Sequence, residues 1–502
     1  MVVALFLVVA LNVVAGCSRN TCKFVLQVIK ILIEITLRRG GRDITQEDME
    51  MLNKFPKDPR TARQALNIEP TTTTYACCPK CSFPHPPKNR GKGVMEYPAL
   101  CQNRRFKSEK PCHTLLTKKG VRNQESIRVP IRPYVMQDFH SFLGRLYSQD
   151  GIEESILLMQ KLRRSNPEVL LDIRDGAAAR ELKDMDGKPF LESKDELRTI
   201  WSLSYDGFNP YHNKIAGKSA SVGSLAMACL SLPPSLRYEN MFLNGVLPGP
   251  KQPTLDEINY IIQLLVDMLK VSYIKGTSIK HTGQHPQGRR SREAIVALVN
   301  DLPASRKIVG CAGHRAEKFC SLCELPRSSI NNVDWWTWTP ATREAQETAA
   351  KKWRDASTKA ERDRIYQETG VRWSPLWDLP YWDPIKYVVI DGMHNLLLGL
   401  VKHHFREVLG MEIPDGNSEG DEEGEQEREP TEKEMRKVRK VMLTQPTSSQ
   451  LHRSRIPVLR ALCEERGVSN RVWHPSDRPT KKGFISALIV SCRTLLLFCN
   501  DK

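Results

Sequence analysis

At 502 residues the chain is long enough for roughly two to four domains, each with its own core. An apolar content of 40% beside 26% charged residues excludes wholesale disorder. The formal charge is +17, yet residues 415–434 hold ten acidic against two basic residues, so the remainder carries twenty-five net positive charges. An excess of that size fits a polyanionic partner, usually nucleic acid, better than a surface that is basic only for solubility.

Residues 1–16 are uncharged and lead into Cys17, a pattern shared with secretory signals. A signal needs a positive stretch before its apolar run, and none is present. The run is also short for a spanning helix. The next stretch, 24–37, sets Lys30 and Glu34 one turn apart on an otherwise apolar helix. Residues 1–40 therefore predict a buried helical hairpin, with a signal or membrane anchor as the alternative, and 1–74 form this hairpin and its connector. A short helix is expected within TQEDMEMLNKF.

The fourteen cysteines fall in Cys-x-x-Cys pairs and scattered singles, which suits zinc sites and free thiols in a reducing compartment better than a disulfide framework. In the module 75–125, Cys78-Pro-Lys-Cys81 with Cys101 and Cys112 forms a four-thiolate set suited to tetrahedral Zn²⁺. Cys77, His85 and His113 are possible substitutes. Residues 126–166 read as a helical connector.

From residue 168 short apolar runs bounded by Asp, Gly and Pro predict strands: EVLLDIRDG, RTIWSLSYDGFNP and SVGSLAMACLSLPP. A capping box, Thr254 to Glu257, opens a helix over INYIIQLLVDMLK. A basic loop, Lys280 to Arg292, precedes the apolar run AIVALVND. Two such runs end in Asp206 and Asp301, with Asp172 and Asp175 competing for the first position. Paired strand-end carboxylates suit Mg²⁺, a hard cation that prefers their oxygens and that in pairs clamps both attacking and leaving oxygens. The bland reading is that each Asp terminates a strand in a turn.

Cys320-Ser-Leu-Cys323 is a second knuckle, preceded by His314. Asp391-x-x-His394 could complete its ligand set as a structural zinc site. Residues 340–368 predict charged helices inserted in the core, and the tryptophans at 335, 336, 338, 373, 377 and 382 suit packing of that insertion, or base stacking. The acidic stretch, within a 413–445 linker, is expected to be disordered. Residues 446–502 predict a helical segment that ends on an uncapped apolar run, as if continuing into a longer protein.

Four blocks in order, DGFNPYHN, LPPSLRYENMFLNGVLPGPKQP, NDLPASRKIVGCAGHRAEKFCSLC and LPYWDPIKYVVIDGMHNLLLGL, resemble the transposases of CACTA (En/Spm-like) DNA transposons, their fungal branch above all. The resemblance runs from about residue 70 to about residue 410. It implies an α/β fold, an RNase H-like mixed sheet with helical insertions over 167–412 (insertion at about 325–380), and an Asp/Asp/acidic catalytic triad. By residue, it implies Asp206 and Asp301 as the first two carboxylates, and matches Cys320, Cys323, Asp391 and His394 to family motifs. The third carboxylate is expected downstream of His394, where Glu464 and Glu465 are weak candidates. The implied activity is Mg²⁺-dependent cleavage and strand transfer on double-stranded DNA in the nucleus, by a protein that can self-associate. The alternatives are a catalytically inactive or domesticated relic that keeps zinc and DNA binding, and a membrane or secreted zinc protein. The basic loop, with Lys280, Arg289, Arg290 and Arg292, is placed to hold phosphates.

Overall fold

A computed structural model describes residues 2–39, 43–89, 91, 95–122, 125–161, 169–210, 221–411, 430–442, 447–451, 454–468, 483–485 and 487–489. The chain divides into two compact units, residues 1–409 and 410–502. The acidic stretch lies outside the described residues up to 429, and so does the final run from 490.

The first unit is mixed α/β, built on a nine-stranded sheet. Its strands are β1 (Thr72–Cys77), β2 (Pro84–His85), β3 (Pro133–Gln137), β4 (Leu197–Phe208), β5 (Val222–Cys229), β6 (Phe242–Leu247), β7 (Thr277–Ile279), β8 (Arg289–Asn300) and β9 (Val388–Ile390). In space they run β7-β8-β4-β5-β6-β3-β1-β2, and β9 also pairs with β8. The pairings of β8 with β4 and with β9 are parallel; the others are antiparallel.

Sequence pattern follows this layout. The run Ala294–Leu298 of β8 is buried without interruption, as a parallel strand covered on both faces requires. The helix Ile258–Ile274 crosses from β6 towards β8 and buries Ile258, Ile261, Ile262, Leu265, Val266 and Leu269, an apolar stripe at helical spacing. Its N-terminus keeps half of the expected capping box: the Thr254 N–H donates to Glu257 at 3.0 Å, but no side chain caps the helix from the other direction. The core continues through Trp201, Phe139, Phe242 and Trp382.

One predicted strand and one predicted helix come out differently. The described part of EVLLDIRDG, residues 169–176, forms no strand; Asp172 and Asp175 cap each other around a single 3₁₀ turn, Ile173–Asp175, because Asp competes for local N–H groups. Asp172 is held by Arg174 at 2.8 Å and Arg237 at 2.6 Å, away from any strand-end role. The start of VMQDFHSFLGRLYS pairs as β3 before the helix Phe139–Tyr147 begins, with Asp138 as its cap.

At the N-terminus the helices Val2–Val13 and Arg19–Arg38 pack with the helix Pro59–Ala65 around Leu5, Val8, Leu26 and Ala62. Glu34 pairs with Arg38 at 2.9 Å, not with Lys30, consistent with the better order of Glu before a cation one turn on. Residues 340–369 form the helices Arg343–Asp355 and Lys359–Thr369. Trp377 and Trp382 are core residues, whereas Trp335 and Trp336 are exposed.

In the second unit the helices Glu432–Met442, Ser448–Leu451 and Ile456–Glu465 enclose Met435, Val438, Leu451, Leu459 and Leu462.

Candidate functional site

Asp206 lies in the last residues of β4, and Asp301 directly follows β8. Past its bulge, β8 pairs Ala297 with Ser202 and Leu298 with Leu203. The same offset carried three residues further sets Asp301 beside Asp206. The link persists at the preceding position, where the Tyr205 N–H donates to Asn300 Oδ1 at 2.5 Å. On the other side of β8, Leu298, Val299 and Asn300 pair with Val388, Val389 and Ile390. One residue on, Asp391 falls beside Asp301. Three adjacent parallel strands thus deliver three aspartates in one row.

Two members of the row also organise local backbone. Asp301 caps the helix Leu302–Val309, accepting from the Ala304 N–H at 2.7 Å. Asp391 caps the π-helix Gly392–Val401, accepting from the Met393 N–H at 2.8 Å, and bonds His394 Nδ1 with its second oxygen. That bond draws the Asp391 carboxyl below its usual range and raises His394, with Asp301 and Asp206 adding to the lift on the imidazole. His394 therefore stands within the field of all three carboxylates. The signal was available in outline, since Asp391 ends an apolar run as Asp206 and Asp301 do, but sequence alone assigned it to a zinc set.

The cysteine module forms a second centre. The sulfurs of Cys78, Cys81, Cys101 and Cys112 all lie within 4.8 Å of one another. Pairs stand at 3.8 Å (Cys78–Cys112) and 3.6 Å (Cys81–Cys101), and His85 Nε2 is 3.3 Å from Cys101 Sγ. The N–H groups of Lys80 and Cys81 point at Cys78 Sγ, at 3.4 and 3.5 Å. A hydrogen bond from the Cys81 thiol and these N–H groups draw the Cys78 thiol down to about 4, while the same bond pushes Cys81 up. Four convergent soft donors with N–H support fit a tetrahedral metal such as Zn²⁺. Cys77 is no substitute ligand: strand alternation turns it into the main core, whereas Cys78 joins the module's own cluster. His113 adopts a left-handed backbone, φ 51°, and its N–H donates to the Cys101 carbonyl.

Cys320 and Cys323 lie close together; burial, then the neighbouring Cys320, raises the Cys323 thiol. Among the described residues no third metal-type ligand atom joins them, and His314 is exposed. The structure does not bring Asp391 and His394 to this knuckle, because β9 carries them to the aspartate row.

The loop before β8 is divided in its roles. Glu153, fully buried, accepts from Thr282, from the Gln284 N–H at 2.9 Å, from His285 Nδ1 at 3.0 Å and from Arg289 at 2.7 Å. Arg292 donates to Glu196 at 2.8 Å and to the carbonyls of Tyr273 and Ile274. These two guanidiniums hold the loop to the core. Lys280 and Arg290 are the exposed cations of the four.

Residues 170–357 match the family model described as Transposase family tnp2. The matched stretch includes Asp206, Asp301, Cys320 and Cys323, and ends before Asp391. The match supports a transposase-like function and, with it, DNA as the partner. No curated protein matches the chain. Among the described residues no helix is long and apolar enough to cross a membrane.

Proposed function

We propose that this chain is a transposase of the CACTA (En/Spm-like) type, acting on double-stranded DNA in the nucleus through an RNase H-like core. The observation that carries the reading is the row Asp206, Asp301, Asp391 across three parallel strands, within a stretch most of which matches a transposase family. The strand order supports it as well: an antiparallel β6-β5-β4 meander, then β8 and β9 parallel to β4, with the helix Ile258–Ile274 between the third and fourth of these strands.

The donor set fits Mg²⁺, since carboxylate oxygens are hard ligands and no thiolate stands in the row. When bound, a pair of such ions supplies an activated water and stabilises the attacking and leaving oxygens of the phosphodiester. The residues themselves do the positioning. Asp301 and Asp391 each keep one oxygen on a helix N-terminus, which fixes their rotation, and Asp206 stands beside them on a core strand. The bond to Asp391 raises His394, and its protonated form suits a phosphate oxygen beside the row. Asp391 takes the place of the third carboxylate that sequence alone sought farther along the chain.

Nicking of supercoiled plasmid in Mg²⁺ or Mn²⁺, with Mn²⁺ binding followed in parallel, tests this. Asp206→Asn, Asp301→Asn and Asp391→Asn should each abolish nicking and weaken Mn²⁺ binding, with thermal unfolding retained. Full activity in Asp391→Asn beside an inactive Asp206→Asn would remove Asp391 from the site. Absence of Mn²⁺ binding by the folded wild type would overturn the catalytic reading.

A further inference from the structure

A cavity of about 310 Å³ lies where the cysteine module meets the segment before the helix Ile258–Ile274 and the two inserted helices. Four cations line it, Arg105, Lys359, Arg362 and Arg372, against two carboxylates, Asp256 and Asp363. Asp256 is already in an ion pair with Arg105.

Arg372 is the telling residue. It is 2% exposed, and its guanidinium donates only to the carbonyls of Leu255 and Lys307, leaving Nε without a partner. Among the described residues no carboxylate lies within 4.0 Å of it. Arg362 is held between the rings of Phe106 and Trp353, with 4.5 and 4.4 Å to the centroids, and its Nε is also unpartnered. Burial pushes both guanidiniums below their ordinary value, yet arginine stays charged in proteins. Burying a cation without a counter-charge is costly. Asp256 opposes the charge of both but is already paired with Arg105, and the remaining excess of positive charge around the cavity is what an anion would compensate.

A second cavity of about 340 Å³ shares Arg105, Thr254 and Asp256 with the first and extends past Lys80 and Lys110 to Cys81 and Cys112. There Lys80, Arg105 and Lys110 stand against Glu109, Asp256 and Glu257, so the net cationic lining belongs to the first cavity.

We propose that the Arg362–Arg372 cavity is a binding site for a phosphate of the DNA backbone, separate from the aspartate row. The cationic lining calls for an anion; the choice of a phosphodiester rests on the DNA reading above. Planar guanidiniums suit phosphate oxygens, and phosphate contacts set the register of a protein on a duplex without reading its bases.

The test uses the full chain, with duplex binding by fluorescence anisotropy over a salt series and thermal shift with inorganic phosphate. Arg362→Gln and Lys359→Ala should each lower duplex affinity severalfold on unrelated sequences and flatten the log–log salt slope by about 0.9. Both residues sit at the cavity margin, so these variants keep the fold in cases where Arg372→Met does not. Unchanged duplex affinity and slope in folded Arg362→Gln and Lys359→Ala overturns the proposal. Stabilisation by inorganic phosphate that Arg362→Gln abolishes, with DNA affinity unchanged, assigns the cavity to a free phosphate and overturns its DNA role. Loss of nicking in every form with the slope change intact removes the catalytic reading and leaves this one standing.

Discussion

Glu293 shows how one buried residue couples the core to pH. It lies on β8, fully buried, with Tyr147 donating at 3.2 Å and Oε2 unpartnered. Burial raises its carboxyl to about 7, against an ordinary 4.5. A carboxyl raised in the fold favours the folded state below its unfolded value, and that contribution is lost as pH climbs through the folded value. Measured against Glu293→Gln by denaturant unfolding, the wild type should lose stability between pH 4.5 and 7, by about 3 kcal/mol in all. A pH-independent difference between the two proteins would show the carboxyl to be solvated. At the same scale, the sulfurs of Cys78, Cys81, Cys101 and Cys112 predict one tightly held zinc per chain, lost on Cys101→Ser together with cooperative unfolding of the module. Elemental analysis that finds no zinc in folded wild type would dispose of that centre.

The loop leading into β8 illustrates how an element assigns jobs to like residues. Arg289 and Arg292 were equal candidates for phosphate contact with Lys280 and Arg290, because residue type and spacing carry no depth. In the fold, alternation along the start of β8 leaves Arg290 exposed while Arg289 meets the buried Glu153. Arg289→Ala should cost about 3–5 kcal/mol, since it strips a buried carboxylate of its main cation. Arg290→Ala should leave unfolding unchanged within about 0.5 kcal/mol and weaken duplex binding modestly at low salt. Thermal unfolding of the two variants side by side checks this; equal melting points would mean that Glu153 is satisfied without Arg289. The cysteine module follows the same logic: along β1, alternation sends Ala76 to the module's cluster and Cys77 to the main core, and Cys78 just past the strand returns to the module.

For the molecule as a whole, the basic excess, the thiolate set and the strand-end aspartates were all legible before any coordinates. The charge is a sum over residues, the knuckle is a local turn, and an apolar run that stops at Asp is a one-dimensional pattern. The position of Asp391 was not legible in this way. Its neighbour Asp301 is ninety residues away, and the inserted helices Arg343–Asp355 and Lys359–Thr369 lie between them. Only the parallel pairing of β9 with β8 sets the register that aligns the two. The buried Arg372, whose guanidinium meets only carbonyls, was equally hidden, because desolvation depends on what packs around a side chain and not on the residues beside it in the chain. Local chemistry and periodicity thus came from the sequence by itself; long-range register and burial, which decide whether an aspartate joins a row or an arginine loses its counter-charge, belong to the tertiary structure.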